Sequence, residues 1–384
     1  MEDRTLLSKG GIRPEDEMLL CCTRTRIDAA MAGRISELAR TALDWNYLLG
    51  TASTHGVKPL LCHHLSRVCP EAVPGPVLAQ LNRFAQVHAF KNLFMTRELT
   101  RISGVLEQSG ISVLPWKGPV LAAAAYGDAA LRQYGDLDIL VREQDAIRAK
   151  DLLLSLGYRL FYEQPPEEEA AFHSIRKVYE LVRADGQMTV ELHWAITSQT
   201  FPFELDPVQL WERAEKILLE GKPVLNLDPE TRMLVLSVHG AKHHWGKLMW
   251  ICDIAEVVRS YADKIDWDRL MAQARTLGVA RILSLALFLA RDLLEAEIPE
   301  KIWRQVTSEP KVDWLARQVS SNLFLGGTLM AVERPRFYIH LRERGQDRLR
   351  CRLYLGYRKM APRTQARTLG LLHQGRSVLR RLRG

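Results

Sequence analysis

The chain has no apolar run of the roughly 18 or more residues that a membrane helix takes. Its longest apolar stretch, Ile282 to Leu294, is interrupted at Arg291 and reads as a buried helix. Cysteine is sparse: Cys21, Cys22, Cys62, Cys69, Cys252 and Cys351 include no Cys-x-x-Cys pair. A chain of this size needs no disulfide staples, so reduced structural thiols are expected. Cys62, His63, His64 and Cys69 lie near one another in sequence, but their spacing fits no zinc pattern. His-Glu-x-x-His is missing too; His239 and His243, four apart, share a helix face and are expected to pack or to line a pocket with Lys242 and Trp245. The opening MEDRTLLSKGG is charged and has no signal-peptide apolar core, which makes a cytoplasmic location the expectation.

What is present is the composition of a folded protein, 47% apolar and 26% charged over 384 residues, enough for two or three domains. The formal charge of +8 is uneven. From Arg342 onward thirteen Lys and Arg face only Glu343 and Asp347, so the remainder is close to neutral. Such a basic tail suits nucleic acid, an anionic surface or an anionic partner, and the plain alternative is a solvated end.

Periodicity divides the chain. Residues 1–108 read as a helical region, with breaks at Gly56 and around Pro74-Gly75-Pro76. From 109 to 200 the pattern turns to short strands: ISVL, DLDILV, YRLFY, and a hairpin of KVYELVR and MTVELHWAI about Asp185-Gly186. Residues 201–340 read as helical again, including one helix over PVQLWERAEKILL, and 341–384 form the basic tail. Asp44-Trp45, Leu48 and Gly56-Val57 recur at identical offsets as Asp266-Trp267, Leu270 and Gly278-Val279, an echo of two related helix-turn-helix elements. The fold class expected is α+β, a small mixed sheet between helical regions.

The chemistry concentrates in LPWKGPVLAAAAYGDAALRQYGDLDILV, Leu114 to Val141. Asp136 and Asp138 alternate with Leu137, Ile139 and Val141, so on a strand both carboxylates face one way and the apolar set faces a core. Like charges so placed call for cations, and oxygen donors suit Mg²⁺ or Mn²⁺. A pair of ions bound for phosphoryl or nucleotidyl transfer usually needs a third carboxylate. Glu191 is the candidate, with His193 on the same strand face. Lys117 beside Gly118, and Arg132 ahead of the acidic strand, are placed to meet triphosphate oxygens.

WKGPVLAAAAYGDAALRQYGDLDILV, TVELHWAI, LVLSVHGAKHHWGKLMWICDIAEVVR and IDWDRLMAQARTLGV, in that order, resemble the uncharacterised nucleotidyltransferase family of the polymerase-β-like superfamily. The resemblance runs from the Asp44-Trp45 helix to about Leu294. It implies a mixed-sheet nucleotidyltransferase core, metal ligands at Asp136, Asp138 and Glu191, and an NTP donor. The acceptor it leaves open: a small molecule, a peptide or protein, or RNA. The superfamily's Gly-Ser pair is replaced here by Lys117-Gly118-Pro119, which shifts triphosphate contact onto Lys117 or Arg132. Two alternatives remain beside this reading. One is a nucleotide- or partner-binding member without turnover; the other is a nucleic-acid-directed enzyme using the basic tail.

Overall fold

The computed structural model describes residues 12–162, 177–197, 203, 205–324, 333–349 and 351–352. The acidic run Glu167 to Glu169 and most of the basic tail lie outside the described residues. Two units are present, Met1–Thr328 and Leu329–Gly384.

Four helices open the first unit: α1 (Pro14–Cys22), α2 (Ala29–Ala39), α3 (Trp45–His55) and α4 (Lys58–Val68). Aspartates start the middle two. Asp28 accepts the amide of Met31 and Asp44 that of Tyr47, each satisfying a first-turn donor. The long helix α5 (Gly75–Gln108) then carries one buried stripe, including Met95, Leu99, Ile102 and Leu106, into the sheet region.

That region contains β1 (Leu114–Pro115), α6 (Pro119–Leu121) running into a π-helical turn (Ala122–Tyr126), β2 (Leu137–Leu140), α7 (Ala146–Ser155), β3 (Tyr158–Leu160), β4 (Val178–Arg183) and β5 (Thr189–His193). The strands form one sheet in the order β1-β2-β5-β4-β3. It is mixed, because β2 and β5 run parallel while the other pairs are antiparallel. Leu137, Ile139, Val190, Leu192, Tyr179 and Leu181 project from one face into a core shared with α5 and α7. The alternate positions are left to the opposite face. The α+β class expected from the pattern is the one observed.

One expectation is corrected. PVQLWERAEKILL does not form a single helix: α8 ends at Glu212 after starting at Pro207, and a hairpin follows, β6 (Glu215–Leu219) with β7 (Lys222–Asn226). Glu220 and Gly221 both take positive φ, 51° and 75°, the tight reversal that suits a two-residue hairpin. Leu219 and Val224 join the core while Leu218 stays exposed, which is strand alternation and not a helical stripe.

Helices complete the unit: α9 (Pro229–Lys242), α10 (Leu248–Ser260), α11 (Trp267–Leu277), α12 (Ala280–Leu294), α13 (Glu300–Ser308) and α14 (Val312–Phe324). The echo between Asp44-Trp45 and Asp266-Trp267 extends to four helices. In both α1–α4 and α9–α12 the first helix packs on the other three, and the fourth packs on the second and third. Pro14-Glu15 and Met18-Leu19 correspond to Pro229-Glu230 and Met233-Leu234 at the helix that leads each set. Glu15 accepts the backbone amide of Asp44 at 2.7 Å, and Glu230 accepts that of Asp266 at 2.7 Å. Gly56 and Gly278 end the third helices at φ 72°. The sheet region lies between two copies of one helical quartet.

In the second unit the described helix is α15 (Glu333–Leu341), with Phe337 and Leu341 buried. Among the described residues no helix is long and apolar enough to cross a membrane.

Candidate metal centre and phosphate site

Register builds the centre. In the parallel β2/β5 pair Asp138 stands beside Glu191, and in the antiparallel β5/β4 pair Glu180 stands opposite Glu191. All three therefore share the face away from the apolar core, joined two residues on by His193. Asp138 is 3%, Glu191 7% and His193 9% exposed, so solvent does little to separate their charges. His193 Nε2 lies 3.3 Å from Asp138 Oδ1 and 3.3 Å from Glu191 Oε2. Among the described residues, Asp138, Glu191 and His193 are the group whose donor atoms are close enough to share one ion.

A lysine completes the cluster. Trp116 donates its amide to the Asp138 carbonyl at 3.3 Å, which stitches the turn after β1 to the acidic strand. Gly118 follows with φ 60° and ψ −131°, a conformation that strains any side chain, and it runs close beside the Asp136 carbonyl. The turn delivers Lys117 Nζ to 2.8 Å from Asp138 Oδ1, and the same ammonium lies 4.2 Å from the Trp116 ring centre. Burial alone would raise the Asp138 pKa; the Lys117 ammonium and His193 outweigh it and hold the carboxyl well below its usual range. Burial lowers the His193 pKa against the pull of Asp138, so the imidazole is neutral at pH 7.

Helix α9 carries Lys242 and His239 alongside this cluster. Lys242 has its pKa lowered by burial and by Lys117, while Asp138 and Glu180 act in the other direction. His239 is pushed well down, first by burial and then by Lys117, His243 and Lys242. Both side chains thus feel the cationic side of the centre. Trp116 contacts His193 and His239 edge-on, at 5.6 and 5.9 Å between ring centres, and Trp250 lies 5.7 Å from His239 and 5.1 Å from His243. The result is a wall of rings beside the charged cluster.

The residues singled out from sequence are placed as follows. Asp138, Glu191, Lys117 and Gly118 come together on one side of the sheet, with His193 between the two acids. Asp136 sits one residue before β2, half-buried, and is not in the group of three donors. Lys242 reaches the same charges from α9.

Arg132 is turned elsewhere: its Nε and Nη2 donate to Asp253 Oδ1 and Oδ2 at 2.7 and 2.8 Å, and Tyr126 donates its hydroxyl to the same carboxylate at 2.7 Å. This pair fixes the π-helical turn and the approach to β2 against α10.

Trp245, expected beside Lys242 in the pocket wall, is fully buried, and its indole fills the space where Gly240 would carry a Cβ. The cysteines are free, and His64 Nε2 is 2.7 Å from the Arg24 carbonyl oxygen, so the early Cys/His set is structural. Glu180 was missed by sequence reasoning; its alternation on β4, opposite Glu191, is the signal that would have found it.

A mixed sheet with carboxylates side by side on neighbouring strands, a lysine paired with one of the acids and a ring-lined wall alongside offers the charges that metal-assisted phosphoryl transfer uses. The chain belongs to the uncharacterised nucleotidyltransferase family, whose pattern matches residues 41–295, and its class is therefore nucleotidyltransferase. Among curated proteins none matches it. The match spans the last two helices of the first quartet, the sheet region and the whole of the second quartet.

Proposed function

We propose that the protein transfers an NMP group from an NTP to an acceptor hydroxyl or phosphate, with release of pyrophosphate and with Mg²⁺ or Mn²⁺ as the required ion. The observation that supports this most is the lateral pairing of buried Asp138 and Glu191 across parallel strands with an imidazole 3.3 Å from each. Two carboxylates in that position fit a divalent ion, because without a cation their charges repel at short range in a poorly solvated site. Asp138 and Glu191 would hold it, with Asp136 at the mouth of β2 supplying a further carboxylate. When bound, the ion supplies charge neutralisation for the triphosphate and the departing pyrophosphate.

The remaining work falls to the chain's own groups. Lys117 and Lys242 bring two ammonium groups to the acid cluster, and these replace the hydroxyl that the superfamily's Gly-Ser pair provides. They contact the β- and γ-phosphate oxygens and orient the α-phosphorus toward the acceptor. The acceptor oxygen attacks that phosphorus, the bond to the bridging oxygen breaks, and pyrophosphate leaves. Glu191, itself one of the two groups that would hold the ion, is also the group within the centre to orient the acceptor hydroxyl and take its proton, a role decided first by reach. Positioning and charge stabilisation account for most of the acceleration. Arg132 has no part in phosphate binding in this scheme, because Asp253 occupies it. A small molecule, a peptide or protein, and RNA all remain open as acceptor.

Incubating the protein with α-labelled NTPs and Mg²⁺ or Mn²⁺ in cell extract tests the reading and identifies whatever acquires label. Asp138→Asn should lower labelling by about a thousandfold or more, the scale of losing charge stabilisation at the reacting phosphate, while circular dichroism stays native. Label transfer at the wild-type rate by an Asp136→Asn/Asp138→Asn double variant would sink the mechanism.

A further inference from the structure

We propose that His193 is a nitrogen ligand of the ion held by Asp138 and Glu191, and that this ligand makes the centre prefer a first-row transition ion such as Mn²⁺ over Mg²⁺. The inference rests on the reading that those two carboxylates hold an ion, and goes beyond it in ligand identity and metal choice.

Distance is the first argument. A charge-assisted N–H···O bond to a carboxylate settles at about 2.7–2.9 Å. His193 Nε2 is 3.3 Å from Asp138 Oδ1 and 3.3 Å from Glu191 Oε2, too long for a good bond to either. By contrast, two donors about 2.1 Å from one ion lie about 3.0 Å apart at a right angle and about 3.4 Å apart at the tetrahedral angle. The observed spacing falls inside that interval for both partners.

Direction is the second. One ring nitrogen has one lone pair or one proton on a single axis. Standing at equal distance from carboxylates of two different side chains, it favours neither, as a nitrogen sharing one ion with both would. Strand geometry puts it there, since Glu191 and His193 are two apart on β5 and share its outer face. The edge-on Trp116 ring, 5.6 Å away at 77°, limits how far the imidazole can turn.

Donor chemistry is the third. Mg²⁺ takes oxygen ligands, demands a near-ideal octahedron and keeps several waters. Imidazole suits Zn²⁺, Cu²⁺, Fe²⁺ and Ni²⁺ best; Mn²⁺ shares the carboxylate preference of Mg²⁺ but, as a first-row transition ion, also takes a nitrogen donor. A closed, buried O, O, N set offers Mg²⁺ one donor it uses poorly. The same set offers Mn²⁺ three donors it accepts.

The experiment uses the full chain with Mn²⁺ alone, without nucleotide. Electron spin-echo envelope modulation of the Mn²⁺-loaded wild type should show a directly bound ¹⁴N. Calorimetry should show Mn²⁺ bound about tenfold or more tighter than Mg²⁺. In His193→Asn the ¹⁴N signal should vanish and Mn²⁺ affinity should drop about tenfold or more, with Mg²⁺ affinity changed less than about threefold.

An all-oxygen Mn²⁺ spectrum in the wild type, lost on Asp138→Asn, would overturn the proposal for His193 and leave the two-carboxylate ion site standing. Absence of Mn²⁺ binding to the wild type, or unchanged binding in Asp138→Asn, would overturn both. The wild-type spectrum decides the ligand even if the histidine variant does not fold.

Discussion

Lys117 supplies a positive charge at the point where two carboxylates from neighbouring strands approach each other. Its ammonium, 2.8 Å from Asp138 Oδ1 and only 13% exposed, offsets the repulsion that Glu191 brings from β5. In the proposed enzyme a divalent ion on the same carboxylate and this ammonium oppose each other. Ion binding therefore loosens Lys117, and its flexible stem lets the released charge move to a triphosphate. Lys117→Met should then tighten Mn²⁺ binding roughly tenfold, about 1.4 kcal/mol, while nucleotide affinity with the ion present weakens by a similar factor. Calorimetry with Mn²⁺ alone and then with a non-hydrolysable NTP reads both. Weakening of both affinities together would mean that Lys117 merely keeps Asp138 in place.

At this scale the sequence revealed what depends on strand period. Asp138, Glu191 and His193 were legible because side chains two apart share a face and their neighbours are apolar. The partner of Arg132 was not legible. Asp253 lies 121 residues further on, and nothing local to Arg132 indicates that a carboxylate will meet it in the core.

The elements carry a repetition that the sequence only hinted at. The Asp-Trp starts and Gly-Val stops were readable, because N-cap aspartate and left-handed glycine have fixed local chemistry. The contact of Glu15 with Asp44 and of Glu230 with Asp266 was not, since it joins the first helix of each quartet to the third. Glu230 is 1% exposed and also meets Arg269 at 2.7 Å and Arg213 at 3.3 Å, so it acts as the hub of its quartet. Removing only the cap, in Asp44→Ala or Asp266→Ala, should cost about 1 kcal/mol in either copy.

Glu230→Ala leaves Arg269 and the Asp266 amide without this acceptor, while Arg213 keeps Asp228 at 2.8 Å, and should cost about 2–3 kcal/mol. Urea unfolding of the three variants checks the order, and a Glu230 variant no worse than the caps would remove its claim to be the hub. The β6–β7 hairpin shows the opposite limit. Its apolar residues imitate a helical continuation of α8, and only the paired positive-φ residues Glu220 and Gly221 reveal the reversal.

For the molecule as a whole, the question is how a small sheet keeps its acid face fixed between two helical quartets. Asn92 on α5 donates to the carbonyls of Ala129 and Arg132 at 2.6 and 3.1 Å, which anchors the approach to β2 from one side. From the other, the second quartet holds it through Asp253, which binds Arg132 and Tyr126, and through Ser260, which donates to the Ala125 carbonyl at 2.6 Å. Arg132 is 4% and Asp253 1% exposed, so breaking the pair from one side strands a charge in the interior.

Asp253→Ala should cost about 3–5 kcal/mol for that reason. An Arg132→Met/Asp253→Leu double variant removes both charges and should recover more than half of the loss, the Tyr126 hydroxyl alone remaining without its acceptor. Because Arg132 lies only six residues before Asp138, ion affinity should fall in the single variant and return with stability in the double. Denaturant unfolding and Mn²⁺ titration of the same samples decide it. Full stability in Asp253→Ala would remove the tie between quartet and sheet, and restored stability without restored ion binding would mean the pair positions the centre through its charge and not through the packing of α10.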